Sequence, residues 1–304
     1  MDNEPFVVDK NLGEKLHLLP GDLPGTNADG DKVVDLTQEQ KYLFDTRGWL
    51  LVPGVLSAAE TEAMRDFALQ VRDRPESLPE EERCYVAGPL EKLTDHPVVV
   101  GFLNEFLAHP HLSSPACYGF RMESSGLRSP SSEPGKEGQF KPHNGGGLFR
   151  FAGDSHHYQC IPGKAFSGLT RVVWELAPVK YGQGGTLLAT GSHKAAYTAP
   201  ESYQDPKSQV WDTYECPAGS VLFFTEGLAH STCPWTNTQN GRVGIFNLYN
   251  SVGSQWGNWQ PPAALVERMP AQRQTLFRGV HCANNVTGFR YGGENQRDRR
   301  PVED

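Results

Sequence analysis

One stretch limits what this chain can become: Gly219-Ser220-Val221-Leu222-Phe223-Phe224-Thr225-Glu226-Gly227-Leu228-Ala229-His230, running on through Ser231 and Thr232 to Arg242. Val221 to Phe224 is an apolar run opened by Gly219, the pattern of a buried strand. It delivers His230 to the end of that strand or the start of the next. Asn240-Gly241 then marks a turn, and Arg242 to Tyr249 reads as a second strand with Val243, Ile245 and Leu248 as apolar positions. A histidine and an arginine are thus expected on adjoining antiparallel strands of one hairpin. That is a place for a metal and, beside it, a carboxylate.

Composition agrees with a sheet-rich chain. With 32 Gly and 23 Pro in 304 residues, turns are frequent enough to favour a β fold over a helical bundle. The net charge of −8 supplies no basic field, so nucleic acid is not an expected partner. No apolar run has membrane-spanning length, and Met1 to Pro5 lacks the pattern of a secretory signal. The six cysteines lie far apart with no C-x-x-C, which predicts reduced thiols in a cytoplasmic protein.

Three helices are expected before the sheet. Thr37 opens one through Phe44, Ser57-Ala58-Ala59-Glu60 forms a capping box for another from Thr61 to Arg72, and a third covers Pro97 to Leu107. Strands are expected at Trp49 to Val52, Tyr118 to Met122 and Leu169 to Ala177. Between the last two, Ser124 to Gly138 has the composition of a long binding loop. Residues 1–36 read as a loose N-terminal arm, 37–293 as one domain, and 294–304 as a charged tail.

Three stretches together resemble the phytanoyl-CoA dioxygenase family of iron(II)/2-oxoglutarate oxygenases. The first is the strand, histidine, asparagine-bearing turn and arginine described above. The second is Gly185-Thr186-Leu187-Leu188-Ala189-Thr190-Gly191-Ser192-His193-Lys194, with Thr190 where that family usually has proline. The third is Phe44 to Ser57, which looks like its first strand. The likeness covers roughly residues 40–250. It implies an all-β core of double-stranded β-helix (jelly roll, cupin-like) type with helices outside, and oxidation of a small molecule's C–H bond with Fe(II), 2-oxoglutarate and O2.

In such oxygenases two imidazoles and one carboxylate hold the metal. The resemblance implies His143 and His230 as the histidines. The carboxylate is usually two residues after the first histidine, but here Gly145 stands at that place. Three explanations are open. A halide, chloride, fills the position, as the His-x-Gly pattern of related halogenases implies, and this sequence favours that reading slightly. Alternatively the carboxylate comes from Glu226, Glu123 or Asp154, and the enzyme is a hydroxylase. Or the ligand is His156 or His157 in place of His143. Arg242 suits the distal carboxylate of 2-oxoglutarate because its planar fork grips carboxylate bidentately, with Thr232 assisting. Arg121 is a candidate substrate contact or the partner of Glu123 or Glu226, and His193 is expected to be structural. A non-catalytic cupin-like binding protein is the rival of another class. It accounts for the missing His-x-Asp but not for His230 and Arg242 together.

Overall fold

The computed structural model describes residues 23–108, 113–144, 157–161 and 163–280. Gly145, Asp154, His156, the arm up to residue 22 and the tail 294–304 lie outside the described residues.

Helix α1 (Gln38–Arg47) and helix α2 (Ala58–Asp73) both begin where the sequence places their caps. The Thr37 and Ser57 hydroxyls accept from the third helical N–H, and Gln40 and Glu60 return the bond. Strand β1 (Trp49–Val52) lies between them, and helix α3 (Pro97–Phe106) follows. The remaining strands are β2 (Phe120–Arg128), β3 (Gln159–Ile161), β4 (Lys164–Phe166), β5 (Thr170–Glu175), β6 (Thr186–Leu188), β7 (Ser220–Thr225), β8 (His230–Thr232) and β9 (Gly244–Ser251). Five of them form an antiparallel sheet in the order β1-β7-β5-β9-β2. A short second sheet pairs β6 with β8, and β3 pairs with β4. The fold is a jelly-roll-like double-stranded β-helix with helices packed outside.

The two faces of the large sheet sort their side chains by the period of two expected of strands. Val172 and Trp174 of β5, with Val221 and Phe223 of β7, point outward to the helices, where Phe102 stacks on Phe223 at a centroid separation of 4.2 Å. Val173, Leu222 and Phe224 point inward, toward the second sheet, with Leu188, Leu228 and Trp235. The inner face therefore belongs to the barrel interior, where the functional side chains collect.

Three expectations change. β8 does not form a hairpin with β9: it pairs with β6, while β9 pairs with β5 and β2. The segment between β8 and β9 crosses from one sheet to the other. Trp235 anchors it, donating from Nε1 to the carbonyls of Asn237 and Asn240. Residues 124–128 are strand and not loop, although Ser-Ser-Gly is poor strand sequence. They hold because β9 pairs with the whole segment and Ser125 Oγ donates to Asn247 Oδ1 at 2.7 Å. The register slips between Met122 and Ser124, a bulge at Glu123. Finally, residues 23–36 of the expected arm pack onto the domain, burying Val33 and Leu36.

Gly48 ends α1 in the left-handed region (φ 82°), and a Cβ there would lie 2.5 Å from His193 Nδ1 and 2.9 Å from Leu228 Cδ1. Gly48→Ala combines backbone strain with overpacking, so it should lower unfolding free energy by about 3 kcal/mol. Denaturant titration at constant m-value checks this. An unchanged midpoint would mean that the contact relaxes without cost.

Candidate metal centre

The chain brings His143 and His230 together through backbone pairing. Each donates its N–H to the other's carbonyl, at 3.2 and 3.1 Å, and the ring centroids stand 4.2 Å apart. The two imidazoles are held in the same way. His143 Nδ1 lies 3.0 Å from the carbonyl of Lys141, and His230 Nδ1 lies 2.8 Å from that of Leu228. A carbonyl can only accept, so each Nδ1 carries the proton and each Nε2 keeps its lone pair.

Glu226 completes the group. Its Oε2 is 3.6 Å from His230 Nε2, and one ligand atom from each of His143, Glu226 and His230 falls within 4.8 Å of the others. Among the described residues this is the one cluster of three or more such side chains. Glu226 and His230 are buried, whereas His143 is exposed at the mouth. Burial, with His143 alongside, pushes the His230 pKa down to about 4 despite the charge of Glu226. A buried neutral imidazole beside a carboxylate is chemically suited to a divalent cation, and two histidines with one carboxylate match the donor set of non-haem iron.

Two neighbours aim Glu226. Arg171, from the inner face of β5, donates from Nε to Oε1 at 2.8 Å, with Nη2 2.7 Å from the same oxygen. Asn144 Nδ2 donates to Oε2 at 3.2 Å. Asn144 has φ 65°, and among the described residues no other non-glycine has a positive φ. Sequence reasoning missed Arg171 and Asn144. The signal for Arg171 was a charge inside an otherwise apolar strand.

Glu175 occupies the other inward end of β5, four residues on, and is fully buried against Arg242. It takes Arg242 Nε at 3.2 Å and makes a close contact with Nη2, while Nη1 donates to the carbonyl of Gly185 at 3.0 Å. Thr186 and Tyr214 also bond Nη2, each at 3.1 Å. Burial opposes the Arg242 charge, but Glu175 outweighs it and holds the guanidinium above its ordinary pKa. Arg242 lines a cavity of about 630 Å³ together with His143, Arg171, His230 and Thr232. Its fork faces Glu175, so the side expected to grip a free carboxylate bidentately is already engaged.

Other candidates lie elsewhere. Arg121 and Glu123 form a buried ion pair at 2.6 Å, and Glu123 also accepts from Asn250, Trp256 and Gly257. Neither lines the cavity. His157 is outside the cluster. His193 is structural: Nε2 donates to the carbonyl of Asp45 at 3.0 Å, and burial lowers its pKa to about 4.

The phytanoyl-CoA dioxygenase (PhyH) family model matches residues 44–243, and the chain belongs to that family of non-haem iron(II)/2-oxoglutarate oxygenases. No curated protein matches. Among solved structures, apo HygX from Streptomyces hygroscopicus aligns at 19% identity and TM-score 0.55 over 76% of this chain and 94% of its own. HygX with nickel and 2-oxoglutarate bound aligns at 20% identity and TM-score 0.55, over 76% and 93%. The carbocyclase SnoK from nogalamycin biosynthesis aligns at 18% and 0.50, over 81% and 94%. At these identities the likeness is one of fold.

In metal-free protein His193 and His230 remain neutral to about pH 4, whereas an unfolded histidine titrates near 6.5. The stability that this provides is complete above pH 6.5 and falls as the unfolded state takes up protons, by at most roughly 3 kcal/mol for each residue. Burial also lowers the His96 pKa, so unfolding free energy should drop between pH 6.5 and 5 with a slope of roughly two protons or more, and His230→Gln should reduce that slope by about one proton. A flat profile in this window would contradict the burial of both neutral rings.

Proposed function

We propose that this chain hydroxylates an unactivated C–H bond of a small molecule, using iron(II) held by His143, Glu226 and His230. The observation that carries the reading is that His143, Glu226 and His230 each bring one ligand atom within 4.8 Å of the others, with both Nδ1 atoms turned to backbone carbonyls and Glu226 held by Arg171 through its other oxygen. When iron, 2-oxoglutarate and O2 are present, one oxygen atom goes to the substrate carbon and the other to succinate, with release of CO2.

The residues divide the work. His230, buried and neutral, anchors the metal, and His143 does so from the mouth. Arg171 neutralises Glu226 from behind and directs Oε2 inward. The distal carboxylate of 2-oxoglutarate would lie toward Thr232 and the Arg242 end of the cavity; with the fork taken by Glu175 and fixed by Tyr214, Arg242 would serve it there through its charge and not through a bidentate grip. Leu127, Phe224 and Phe246 give the cavity apolar wall, which keeps water from the reacting carbon. The five free thiols among the described cysteines suit the reducing cytoplasm.

Halogenation is the reading that Gly145 favours in the sequence. It requires a metal with no protein carboxylate, and Glu226 beside both histidines is the observation that turns our preference to hydroxylation. A cupin-like binder would need neither the oriented Nε2 pair nor the buried carboxylate.

Anaerobic titration with Fe(II) and 2-oxoglutarate should develop the weak visible charge-transfer band of the ternary complex, with no dependence on chloride or bromide. Glu226→Gln and His230→Ala should each weaken Fe(II) binding at least about 100-fold, since loss of even an outer partner of a ligand costs 10- to 100-fold. If Glu226→Gln keeps its iron and halide tightens 2-oxoglutarate binding, the protein is a halogenase. If no band forms in the wild type, it is a binder.

A further inference from the structure

The cavity beside the candidate metal centre is cationic out of proportion to the chain. Arg128, Lys136, Lys141, Arg171 and Arg242 line it, with no carboxylate among its described lining residues, in a protein of net charge −8. Three of these charges are answered. Arg171 pairs with Glu226, Arg242 with Glu175, and Lys136 with Glu133 at 2.6 Å. Arg128 and Lys141 have no acidic partner among the described residues.

Arg128 is placed by the fold and not left to wander. It is the last residue of β2, opposite Gly244 of β9. Its Nη1 donates to the carbonyl of Leu127 at 3.3 Å, and its guanidinium stands 5.9 Å from the centroid of Phe246. Arg242 stands 4.9 Å from the same ring. Partial desolvation and the charges of Arg171 and Arg242 push the Arg128 pKa below its ordinary value, so the guanidinium group sits under repulsion that an anion would relieve. A planar fork at the edge of an aromatic wall is suited to a carboxylate or phosphate attached to an apolar body.

2-Oxoglutarate does not use up this charge. It brings two carboxylates: one would go to the metal, whose own charge offsets it, and the other, on the oxygenase reading above, to Thr232 and the Arg242 end, deep in the cavity beside Glu175. Arg128 and Lys141 then remain at the mouth, on the side from which a second molecule must enter. We infer that the substrate is an anion, a small molecule with an acidic group on an apolar body, and that Arg128, helped by Lys141, binds that group. The inference rests on the oxygenase reading above and narrows its substrate class.

The test uses the full-length protein loaded with nickel and 2-oxoglutarate, titrated calorimetrically with three probes. Phenyl phosphate and phenylacetate carry the two kinds of acid on similar apolar bodies, and phenylacetamide is the neutral control. At least one anion should bind about tenfold or more tighter than the amide, and the tighter of the two tells phosphoryl from carboxyl substrates. Arg128→Gln should bring that anion down to the level of the amide, and Lys141→Gln should weaken it by a smaller factor. Equal binding of all three probes overturns the inference. So does an Arg128→Gln variant that loses 2-oxoglutarate and the anion alike, because Arg128 would then serve the cosubstrate. Retained thermal unfolding of each variant excludes misfolding as the cause. A protein that takes up neither nickel nor 2-oxoglutarate fails the oxygenase reading and this inference with it. One that binds both yet ignores probe charge fails this inference alone.

Discussion

Everything at the candidate centre depends on two backbone hydrogen bonds. His143 and His230 exchange N–H and carbonyl across an antiparallel bridge, which sets their rings side by side before any side-chain contact is made. Each ring then turns its Nδ1 to the carbonyl two residues earlier on its own chain. The two imidazoles share one local geometry because they share one backbone arrangement. β8 is only three residues long, yet its pairing with β6 on one side and with His143 on the other fixes His230 in a buried position.

β5 supplies the second constraint. Arg171, Val173 and Glu175 point to the barrel interior, so one strand presents a cation to the cavity at one end and, at the other, an anion behind Arg242, with an apolar residue between. Each meets an opposite charge from another segment: Glu226 after β7, and Arg242 before β9. Buried ion pairs of this kind are weak evidence for stability, because desolvation offsets most of the attraction. Their value here is orientation. Removing either partner would leave a lone charge in the wall of the cavity, so each pair locks the rotamer of a residue that faces the reactants.

Much of the frame was legible. Thr37 and Ser57 announced their helices, and Val221 to Phe224 announced β7, because capping and apolar runs are local signals. β2 was cut short because Ser124-Ser125-Gly126 is strand only by virtue of its pairing with β9, a contact between residues more than a hundred positions apart. The partner of β8 is hidden from the sequence for the same reason: a turn signal at Asn240-Gly241 cannot say that the chain is crossing between sheets. At the site, the two histidines and Glu226 were all named, but Glu226 only as one alternative. A spacing rule looks two residues beyond His143, whereas Glu226 arrives from a turn some eighty residues later. Arg171 and Glu175 share a face at a spacing of four, which is readable once the strand is known to be buried on both sides.

The central claim is that two histidines and Glu226, and not two histidines and a halide, hold the metal. Anomalous diffraction from crystals soaked anaerobically in Fe(II) with excess chloride would test it directly. The account predicts one iron peak in contact with Nε2 of His143, Nε2 of His230 and Oε2 of Glu226, with no halide in its coordination sphere. Iron held by the two imidazoles and a chloride, with Glu226 still turned wholly to Arg171, would contradict it.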